Sequence, residues 1–304
     1  MRYLGPPKPP RYKMTDGEFM VVFTNQQCRV RGDFLFFLEK SQLSPIKTRI
    51  TSKLHQVRII PKGLYYILEM VYRKEANDLD LDKKRAVGID LGLKNIITMV
   101  NNAGLRPAIS KGGIVKSINQ FYNKQLVRYR SIKDKQGIDT ETRRLQELTR
   151  KRNNKICDIF HKISREVISY CIENDFGTII IGYNRTWKQK ITIGKRNNQT
   201  FVQIPFFKLV SQIKYKSELV GINVILEPES YTSKCSFLDH EPIEKRKSYQ
   251  GKRISRGLFK SQKGIIINAD ANGAYNILKK AVPEAFSADG IEGVGLHPYS
   301  ITIK

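Results

Sequence analysis

The chain has 304 residues, and an apolar fraction of 40% is enough to build the buried core of one large or two ordinary domains. Lysine and arginine number 54 against 28 acidic residues, and the net charge of +26 favours a polyanionic partner, above all nucleic acid, over a cationic surface with no specific role. No apolar run approaches about 18 residues and the four cysteines form no CxxC pair, so we expect a cytosolic protein without a membrane span, a disulfide framework or a cysteine zinc site.

The N-terminal part of the sequence predicts an arm followed by β-structure. Residues 1–13 carry four prolines among basic residues, which is typical of an extended, solvated arm. Residues 19–40 and 54–74 each contain two short apolar and aromatic runs on either side of a turn. We therefore expect a small antiparallel sheet, or a partial wedge-like β-barrel, over residues 14–84, ending in a polar linker.

From Arg85 onward the sequence alternates between strands and helices. Strands are predicted at 87–91, 96–100 and 105–109, because short apolar runs are separated there by Gly and Asn turns. Helical spacing begins near Val115, and a long, basic helix opens after Thr140.

The remaining elements are a strand, a helix, a second strand and a final helix. They are predicted at 178–182, 206–220, 222–227 and 271–281. A meander of three strands followed by alternating helices and strands predicts an α/β protein with a ribonuclease-H-like mixed sheet and flanking helices. We assign this domain to residues 85–283, with a basic insert at about 235–264, and treat 284–304 as a C-terminal tail.

The stretch VGIDLG places Asp90 on the first strand of that domain. Val87, Ile89 and Leu91 form one apolar face of the strand. Asp90 shares the opposite face with Gly88, because successive side chains of a strand alternate. A lone Asp at a strand end is commonly a turn former, and this alternative stays open for Asp90 by itself.

The stretch NADANGAYNIL places Asp270 just before a helical run. An Asp in that position is an ordinary N-cap, which is the alternative to a catalytic role. A ribonuclease-H-like sheet brings its first strand and its last helix together, so Asp90 and Asp270 are expected to converge across 180 positions of sequence. With a third acid, such a pair holds two Mg²⁺ ions about 4 Å apart, which clamp the attacking and leaving oxygens of a phosphodiester.

Both motifs resemble those of a known family. GIDLGLKN is similar to the first RuvC motif, and DANGAYNI (270–277) to the third, of the TnpB (OrfB-type) proteins of insertion sequences, which are relatives of the type V CRISPR effectors. The resemblance runs from about Pro7 to Pro283, and residues 197–243 resemble the region that joins the second and third motifs in one branch. It implies an RNA-guided DNA endonuclease, historically described as a transposase, with Mg²⁺, a guide RNA and target DNA as partners in a bacterial or archaeal cytosol, associated with the nucleoid.

The third acid departs from the family pattern. Where the family's buried strand ends in the catalytic glutamate, this sequence has Gly182. The adjacent parallel strand ends in LEPESYTSK, and neighbouring strands lie about 4.8 Å apart, within the reach of a glutamate side chain. We predict Asp90, Glu229 and Asp270 as the catalytic and metal-binding residues, with Glu229 chosen because the resemblance of ESYTSK to the family places it at the strand exit. Glu227 has the same facing parity and stays open as the third ligand, as does the alternative that both glutamates are solvated strand-end acids.

Two further departures concern the insert and the N-terminus. Family members commonly carry a four-cysteine zinc knuckle, whereas this chain has Cys235 with His240 nearby, so we expect no structural zinc. Family members also carry a longer N-terminal portion, while 89 residues precede Asp90 here. We expect a shortened N-terminal part, and recognition of a target-adjacent motif stays open.

Basic clusters interleaved with Tyr129 and Trp187 predict nucleic-acid contacts. Cations hold phosphates, and an aromatic face stacks an unpaired base at about 1–3 kcal/mol. The alternatives are a solvated helix face with local pairs to Glu141 and Glu147, and partial burial of Trp187 under a loop. The candidate nucleic-acid-binding residues are Arg143, Arg144, Arg150, Lys151, Arg152, Trp187, Lys188, Lys195, Arg196, Lys234, Arg253 and Arg256.

The leading interpretation is a TnpB-type DNA endonuclease in which a guide RNA supplies sequence specificity. A nuclease-inactive or truncated RNA-guided DNA-binding repressor, or a remnant, is the first alternative, and Gly182 and the short N-terminus favour it. A stand-alone ribonuclease-H-like enzyme acting without a guide is the second. The sequence predicts no oligomeric state.

Overall fold

The chain forms two compact units, Met1–Glu75 and Ala76–Lys304, each with its own apolar core. The computed structural model describes residues 17–184, 202–283 and 296–301. The predicted N-terminal arm at 1–13 and most of the predicted tail lie outside these residues.

The first unit consists of two three-stranded antiparallel sheets around a small core. Gly32 turns the chain between β2 and β3 with a φ of +55°, a conformation that glycine adopts without strain. Cys28, Leu35, Leu54 and Val57 are buried between the strands. The strands are β1 (Val21–Thr24), β2 (Cys28–Arg31), β3 (Phe34–Phe37), β4 (Ile46–Lys47), β5 (Leu54–Pro61) and β6 (Tyr66–Tyr72), with a 3₁₀ turn at Glu39–Ser41.

The linker between the units packs with the second one. The backbone N–H groups of Asn77 and Leu79 donate hydrogen bonds to the carbonyls of Leu219 and Val220. The boundary between the units therefore follows Glu75, whereas the sequence pattern placed it after residue 84.

The second unit is built on a six-stranded mixed sheet with helices, so the prediction of an α/β protein is confirmed. The sheet strands are β7 (Ala86–Leu91), β8 (Asn95–Asn101), β9 (Ala108–Lys111), β10 (Thr178–Gly182), β11 (Asn223–Glu227) and, further along the chain, β15 (Tyr299–Ser300). The helices are α1 (Gly113–Lys135), α2 (Arg143–Glu173), α3 (Phe206–Glu218) and α4 (Ala269–Ala281).

The strands are arranged in the order β11-β10-β7-β8-β9-β15. β7, β8 and β9 form an antiparallel meander, whereas β10 runs parallel to β7 and β11 runs parallel to β10. The first, second and fourth strands along this unit thus lie side by side in the middle of the sheet. The carboxyl ends of β7, β10 and β11 meet at one edge, because parallel strands end on the same side.

The two faces of the sheet pack against different partners. On one face, Val87, Ile89 and Leu91 join a large apolar core that includes residues of α2 and α3. On the other face, Ala86 and Ile180 pack against residues of α4. Burial on both faces explains why β7, β8 and β10 read as nearly continuous apolar runs.

Helix α4 approaches β7 closely because small residues face each other. A Cβ placed on Gly88 would lie 2.8 Å from the carbonyl oxygen of Ala274 and 2.8 Å from Leu278 Cβ, closer than real contacts allow. Glycine is therefore required here for the helix to sit on the strand.

A small antiparallel sheet precedes α4 in the chain. It consists of β12 (Lys252–Ser255), β13 (Leu258–Lys260) and β14 (Ile266–Asn268), and β14 ends one residue before α4 begins. The sequence analysis assigned no strands here, because these segments are short and β12 is basic and exposed. Among the described residues, no helix combines the length and the apolar character needed to cross a membrane.

Candidate active site

Asp90 lies near the carboxyl end of β7, beneath the start of α4. Its side chain is partly buried on the same face as Gly88. A Cβ placed on Gly273 would lie 3.5 Å from Asp90 Oδ2, an ordinary van der Waals distance, so the first turns of α4 pass directly over the carboxylate. Asp90 therefore belongs to the sheet–helix junction rather than to an exposed turn.

Asp270 lies in the first turn of α4. The N-cap of the helix is Asn268, whose side-chain oxygen accepts hydrogen bonds from the N–H groups of Asp270 at 3.0 Å and Ala271 at 3.1 Å. The alternative that Asp270 is only a helix cap is thus wrong. Its own carboxylate accepts a hydrogen bond from Asn95 Nδ2 at 2.8 Å and lies 3.6 Å from Arg253 Nη2.

Glu229 reaches the same region from the end of β11. β10 and β11 pair in register up to Gly182 and Glu227, and the Tyr183 N–H then donates to the Glu227 carbonyl at 2.9 Å. Two residues further on, the Glu229 side chain folds over Gly182: a Cβ placed on Gly182 would lie 2.7 Å from Glu229 Oε1. The Glu229 carboxylate thus occupies the space that a side chain at position 182 would fill.

The three carboxylates interact electrostatically. Burial raises the pKa of Asp90 well above its ordinary value, and the negative charges of Glu229 and Asp270 raise it further. A hydrogen bond with the Leu91 backbone and the positive charge of Arg253 act in the opposite direction. Asp90 is therefore influenced by both other acids that the sequence analysis named.

Glu227, the other candidate for the third ligand, is held elsewhere. Its Oε1 lies 3.1 Å from Lys280 Nζ, and the same ammonium group donates to the Pro228 carbonyl at 2.7 Å. The carboxylates that raise the pKa of Asp90 are those of Glu229 and Asp270. The geometry accordingly favours Glu229 over Glu227.

The donor set fits a divalent cation by its chemistry. Carboxylate oxygens are the ligands that Mg²⁺ prefers. Burial is the main cause of the raised pKa of Asp90, and a divalent ion would neutralise the negative charges of Glu229 and Asp270 that raise it further. Within residues 17–184, 202–283 and 296–301, no group of three or more His, Cys, Asp or Glu side chains is already arranged to hold a metal ion.

Three asparagines around the site escaped the sequence analysis as functional groups. Asn95 orients the Asp270 carboxylate, as described above. The Asn272 side chain accepts from the Phe237 N–H at 3.0 Å and donates to the Cys235 carbonyl at 2.9 Å, and Asn276 donates to the same carbonyl at 2.8 Å. These buried amides tie α4 to the chain segment that leads into the insert. The spacing of four residues between Asn272 and Asn276 is the signal that would have placed both on one helix face.

The start of the insert is organised by the carboxylates of Glu241 and Asp239. Glu241 is fully buried and accepts hydrogen bonds from the N–H groups of Ser236 at 2.7 Å and Gln250 at 3.1 Å. Asp239 accepts from the Ser236 hydroxyl at 2.5 Å and from the Gln262 N–H at 2.7 Å. These contacts link distant parts of the insert to one another.

The candidate nucleic-acid-binding residues of α2 differ in their surroundings. Arg143 is exposed and lies 3.5 Å from Glu147, and the Arg144 guanidinium stacks 4.8 Å from the centre of the Tyr129 ring. The local pair with Glu147 expected in the alternative interpretation is therefore present. Lys151 is exposed and Arg150 is partly buried.

Arg152 is engaged within the protein. Its guanidinium donates to Asn119 Oδ1 at 2.9 Å and to the Gln203 carbonyl, and it lies over the Tyr122 ring. Burial lowers its pKa. We assign Arg152 to holding α1 and α2 together rather than to a nucleic-acid surface.

The basic residues of the insert are exposed. Lys234 lies 5.9 Å from the centre of the Tyr249 ring, and Arg253 and Arg256 belong to the hairpin that begins with β12. The remaining candidates, Trp187, Lys188, Lys195 and Arg196, lie outside the described residues.

Two family models match the chain. The OrfB_IS605 model, described as a probable transposase, matches residues 69–188, and the model of the Cas12f1-like TNB domain matches residues 206–277. The first match covers Asp90, and the second covers Glu229 and Asp270.

Curated proteins match at low identity. The chain is 27% identical over 206 residues to the TnpB-like protein ORF457 of Acidianus two-tailed virus, covering 65% of this chain and 42% of that protein. It is 27% identical over 228 residues to the CRISPR-associated endodeoxyribonuclease Cas12f1 of Sulfoacidibacillus thermotolerans, covering 71% of this chain and 50% of that protein. The chain thus spans about half the length of the curated relatives it matches.

A solved structure has a similar fold. The cryo-EM structure of a Cas12f1–sgRNA–target DNA complex aligns with a TM-score of 0.54 over 85% of this chain and 58% of that chain, at 17% identity. Together with the family models and the curated relatives, this likeness confirms the resemblance expected from the sequence motifs.

Proposed function

From its relationship to the TnpB (OrfB-type) proteins and to Cas12f1, we propose that this chain acts as an RNA-guided DNA endonuclease that hydrolyses phosphodiesters in a RuvC-type site of the second unit. One observation carries the proposal: two acids from separate elements, Glu229 at the exit of β11 and Asp270 on α4, act on the partly buried Asp90 carboxylate of β7. Clustered carboxylates oppose folding, and ionisable groups with strongly shifted pKa values concentrate at functional sites.

The strand order supports a ribonuclease-H-like assignment. An antiparallel meander followed by two parallel strands on the other side of the first strand is the topology that the sequence analysis expected. Asp90 on the central strand and Asp270 on the last helix then correspond to the paired acids of that fold.

Asp90, Glu229 and Asp270 would hold the divalent cations. Mg²⁺, when bound, supplies Lewis-acid stabilisation of the phosphate and activation of the attacking water. Arg253 places a positive charge 3.6 Å from Asp270 Oδ1, where it is suited to contact a phosphate oxygen. Asn95 fixes the orientation of the Asp270 carboxylate through the 2.8 Å hydrogen bond.

Exposed cations of α2 and of the insert would hold nucleic-acid backbones. Arg143, Arg144 and Lys151 on α2 and Arg256 on the insert are accessible to phosphates. In this proposal, pairing between a guide RNA and the target strand reads the sequence, while the protein reads backbone shape. Trp187, Lys188, Lys195 and Arg196 remain candidates for the same surface.

The test uses the protein purified with its copurifying RNA and a labelled DNA duplex that matches that RNA. Mg²⁺-dependent product is expected from the parent and from the control Asp158→Ala, an exposed aspartate that pairs only with Lys162 among the described contacts. No product is expected from Asp270→Ala. Equal product from Asp270→Ala and the parent would remove the nuclease assignment.

A second candidate function is RNA-guided DNA binding without cleavage. Gly182, at the place where the resemblance implies a glutamate, is the observation that favours it. Tight binding of the matching duplex with no product under any divalent cation would select this alternative. Product formed after complete removal of the RNA would instead indicate a guide-independent nuclease.

A further inference from the structure

We infer that Gly182 is a positioning residue for the active site: its missing side chain makes the room in which the Glu229 carboxylate stands beside Asp90. The inference rests on the proposed function and deepens it. In this view Gly182 is a steric requirement of the site rather than the trace of a lost acid.

Gly182 lies at the end of β10, and β10 is the neighbour of β7 in the sheet. β10 pairs in parallel with β7 through Ile180 opposite Gly88 and Ile181 opposite Ile89. Continuing the register by one residue places Gly182 beside Asp90, with the same facing parity. A side chain at 182 would therefore project beside that of Asp90, from the sheet face that packs against α4.

The space next to Gly182 is already filled by the side chains of Glu229 and Ile277. A Cβ on Gly182 would lie 2.7 Å from Glu229 Oε1 and 2.9 Å from Glu229 Cγ, and 2.4 Å from Ile277 Cδ1 of α4. Real Cβ atoms do not approach other atoms this closely, so any larger residue at 182 must displace the Glu229 side chain or the end of Ile277.

The chain on either side of the Glu229 side chain is held by contacts with Lys280 and Thr232. Lys280 of α4 binds both the Glu227 carboxylate and the Pro228 carbonyl. On the other side, the Thr232 hydroxyl donates to the Glu229 carbonyl at 2.9 Å. With the chain held at both points, a displaced Glu229 carboxylate moves by side-chain rotation, away from the other two acids.

The consequence is that positions 182 and 229 are alternative sources of one carboxylate. A glutamate at the end of β10 and a glutamate after β11 compete for the same space beside Asp90, so this sheet accommodates one of them at a time. The small residue and the relocated acid therefore form a matched pair.

The test measures Mn²⁺ binding by electron paramagnetic resonance, which does not depend on DNA cleavage, and uses the full chain. Gly182→Ala is expected to weaken Mn²⁺ binding by about tenfold, the lower end of the loss seen when a supporting residue of a metal site is changed. Gly113→Ala is the matched control, because a Cβ there meets no atom within 4 Å. It is expected to bind Mn²⁺ like the parent.

A relocation experiment separates positioning from general damage. Glu229→Ala combined with Ile277→Val is expected to lose Mn²⁺ binding, and adding Gly182→Glu to that pair is expected to regain at least about tenfold in affinity, because the acid returns from the neighbouring strand. Thermal unfolding of each variant shows that it is folded.

Parental Mn²⁺ affinity in Gly182→Ala would overturn the inference, as would a folded relocation variant that regains nothing. Asp90→Asn distinguishes this failure from failure of the proposed function. If Asp90→Asn loses Mn²⁺ while Gly182→Ala does not, only the role of Gly182 falls. If Asp90→Asn binds as tightly as the parent, the acids hold no metal and both proposals fall.

Discussion

The two faces of the central sheet follow opposite rules. The face toward α2 and α3 is filled by large apolar side chains such as Ile89, Phe160 and Leu209. The face toward α4 is built from small residues, buried amides and three acids, with Gly88 allowing the helix to come close. Burial of apolar side chains on the first face stabilises the fold. On the second face, the clustered acids lower the free energy of unfolding.

The difference shows how a marginally stable fold can tolerate repulsion among clustered carboxylates. Each large side chain fully buried against α2 contributes about 1.5–3 kcal/mol, whereas clustered carboxylates oppose folding. The apolar face thus offsets the cost of the acidic one. Substitutions on the two faces should therefore differ in which property they change, and the following predictions test that contrast.

The largest expected effect is on catalysis. Asp90→Asn should reduce Mg²⁺-dependent cleavage on the order of a thousandfold, since several kcal/mol of transition-state stabilisation depend on the metal ligands. Gel-based rates of single-turnover cleavage measure it.

The same substitution should raise the free energy of unfolding without divalent ions at neutral pH. Because the pKa of Asp90 is raised, the stability that this group contributes is present below its ordinary pKa and is lost as the pH rises through the raised value. Asparagine removes the buried charge. A loss of stability in Asp90→Asn would contradict the contrast between the faces.

Truncation of a side chain on the apolar face should lower the stability of the fold and leave metal binding unchanged. Phe160→Ala, at a fully buried position, is expected to lower the free energy of unfolding by about 3–5 kcal/mol through cavity formation. Mn²⁺ affinity should be unchanged while the protein remains folded. Denaturant titration measures the first, and Phe207→Ala, at a residue 70% exposed on α3, is the control.

A smaller effect is expected where the helix crosses the strand. Gly88→Ala forces a Cβ against the Ala274 carbonyl, which is backbone and cannot rotate away. We expect a loss of about 1–3 kcal/mol from overpacking, together with weaker Mn²⁺ binding because α4 carries Asp270. Gly113→Ala again serves as the control in denaturant and Mn²⁺ titrations. An unchanged Mn²⁺ affinity would mean that the helix position does not set the site.

The smallest expected effect lies outside both faces. Arg143→Ala removes an exposed pair with Glu147 and should change the free energy of unfolding by less than about 0.5 kcal/mol. If Arg143 contacts a phosphate, the slope of log affinity against log salt should fall by about one unit. Filter-binding titrations at several salt concentrations measure the slope, and an identical slope would remove Arg143 from the proposed surface.

The sequence predicted the parts of this unit that local patterns determine. The alternation in VGIDLG placed Asp90 opposite the apolar face, and the run TIIIG matched β10 at both ends. The pattern gave no sign of β12–β14, because short, charged strands pair through backbone contacts that any side chain permits. The pattern also left Asp270 as a possible cap, because the predicted helix began at Ala271. The helix begins at Ala269, and Asn268 is its N-cap.

Tertiary contacts were beyond the reach of the pattern. The ion pair between Lys280 and Glu227, the overlap of Glu229 with the space above Gly182, and the hydrogen bond from Asn95 to Asp270 join residues that are 47 or more positions apart. A glutamate on the neighbouring strand was predictable as a candidate. The resemblance of ESYTSK favoured Glu229 over Glu227, and the ion pair of Glu227 with Lys280 is a contact that the sequence did not reveal.

The junction between β14 and α4 has a mechanical consequence. β14 ends at Asn268 and α4 begins at Ala269, so no hinge separates the insert from the helix that bears Asp270. The hairpin that carries Arg253 is joined to β14 by the strand pairing of β12 with β13 and of β13 with β14. Backbone hydrogen bonds and an uninterrupted chain therefore connect this exposed hairpin to the helical turn that carries Asp270.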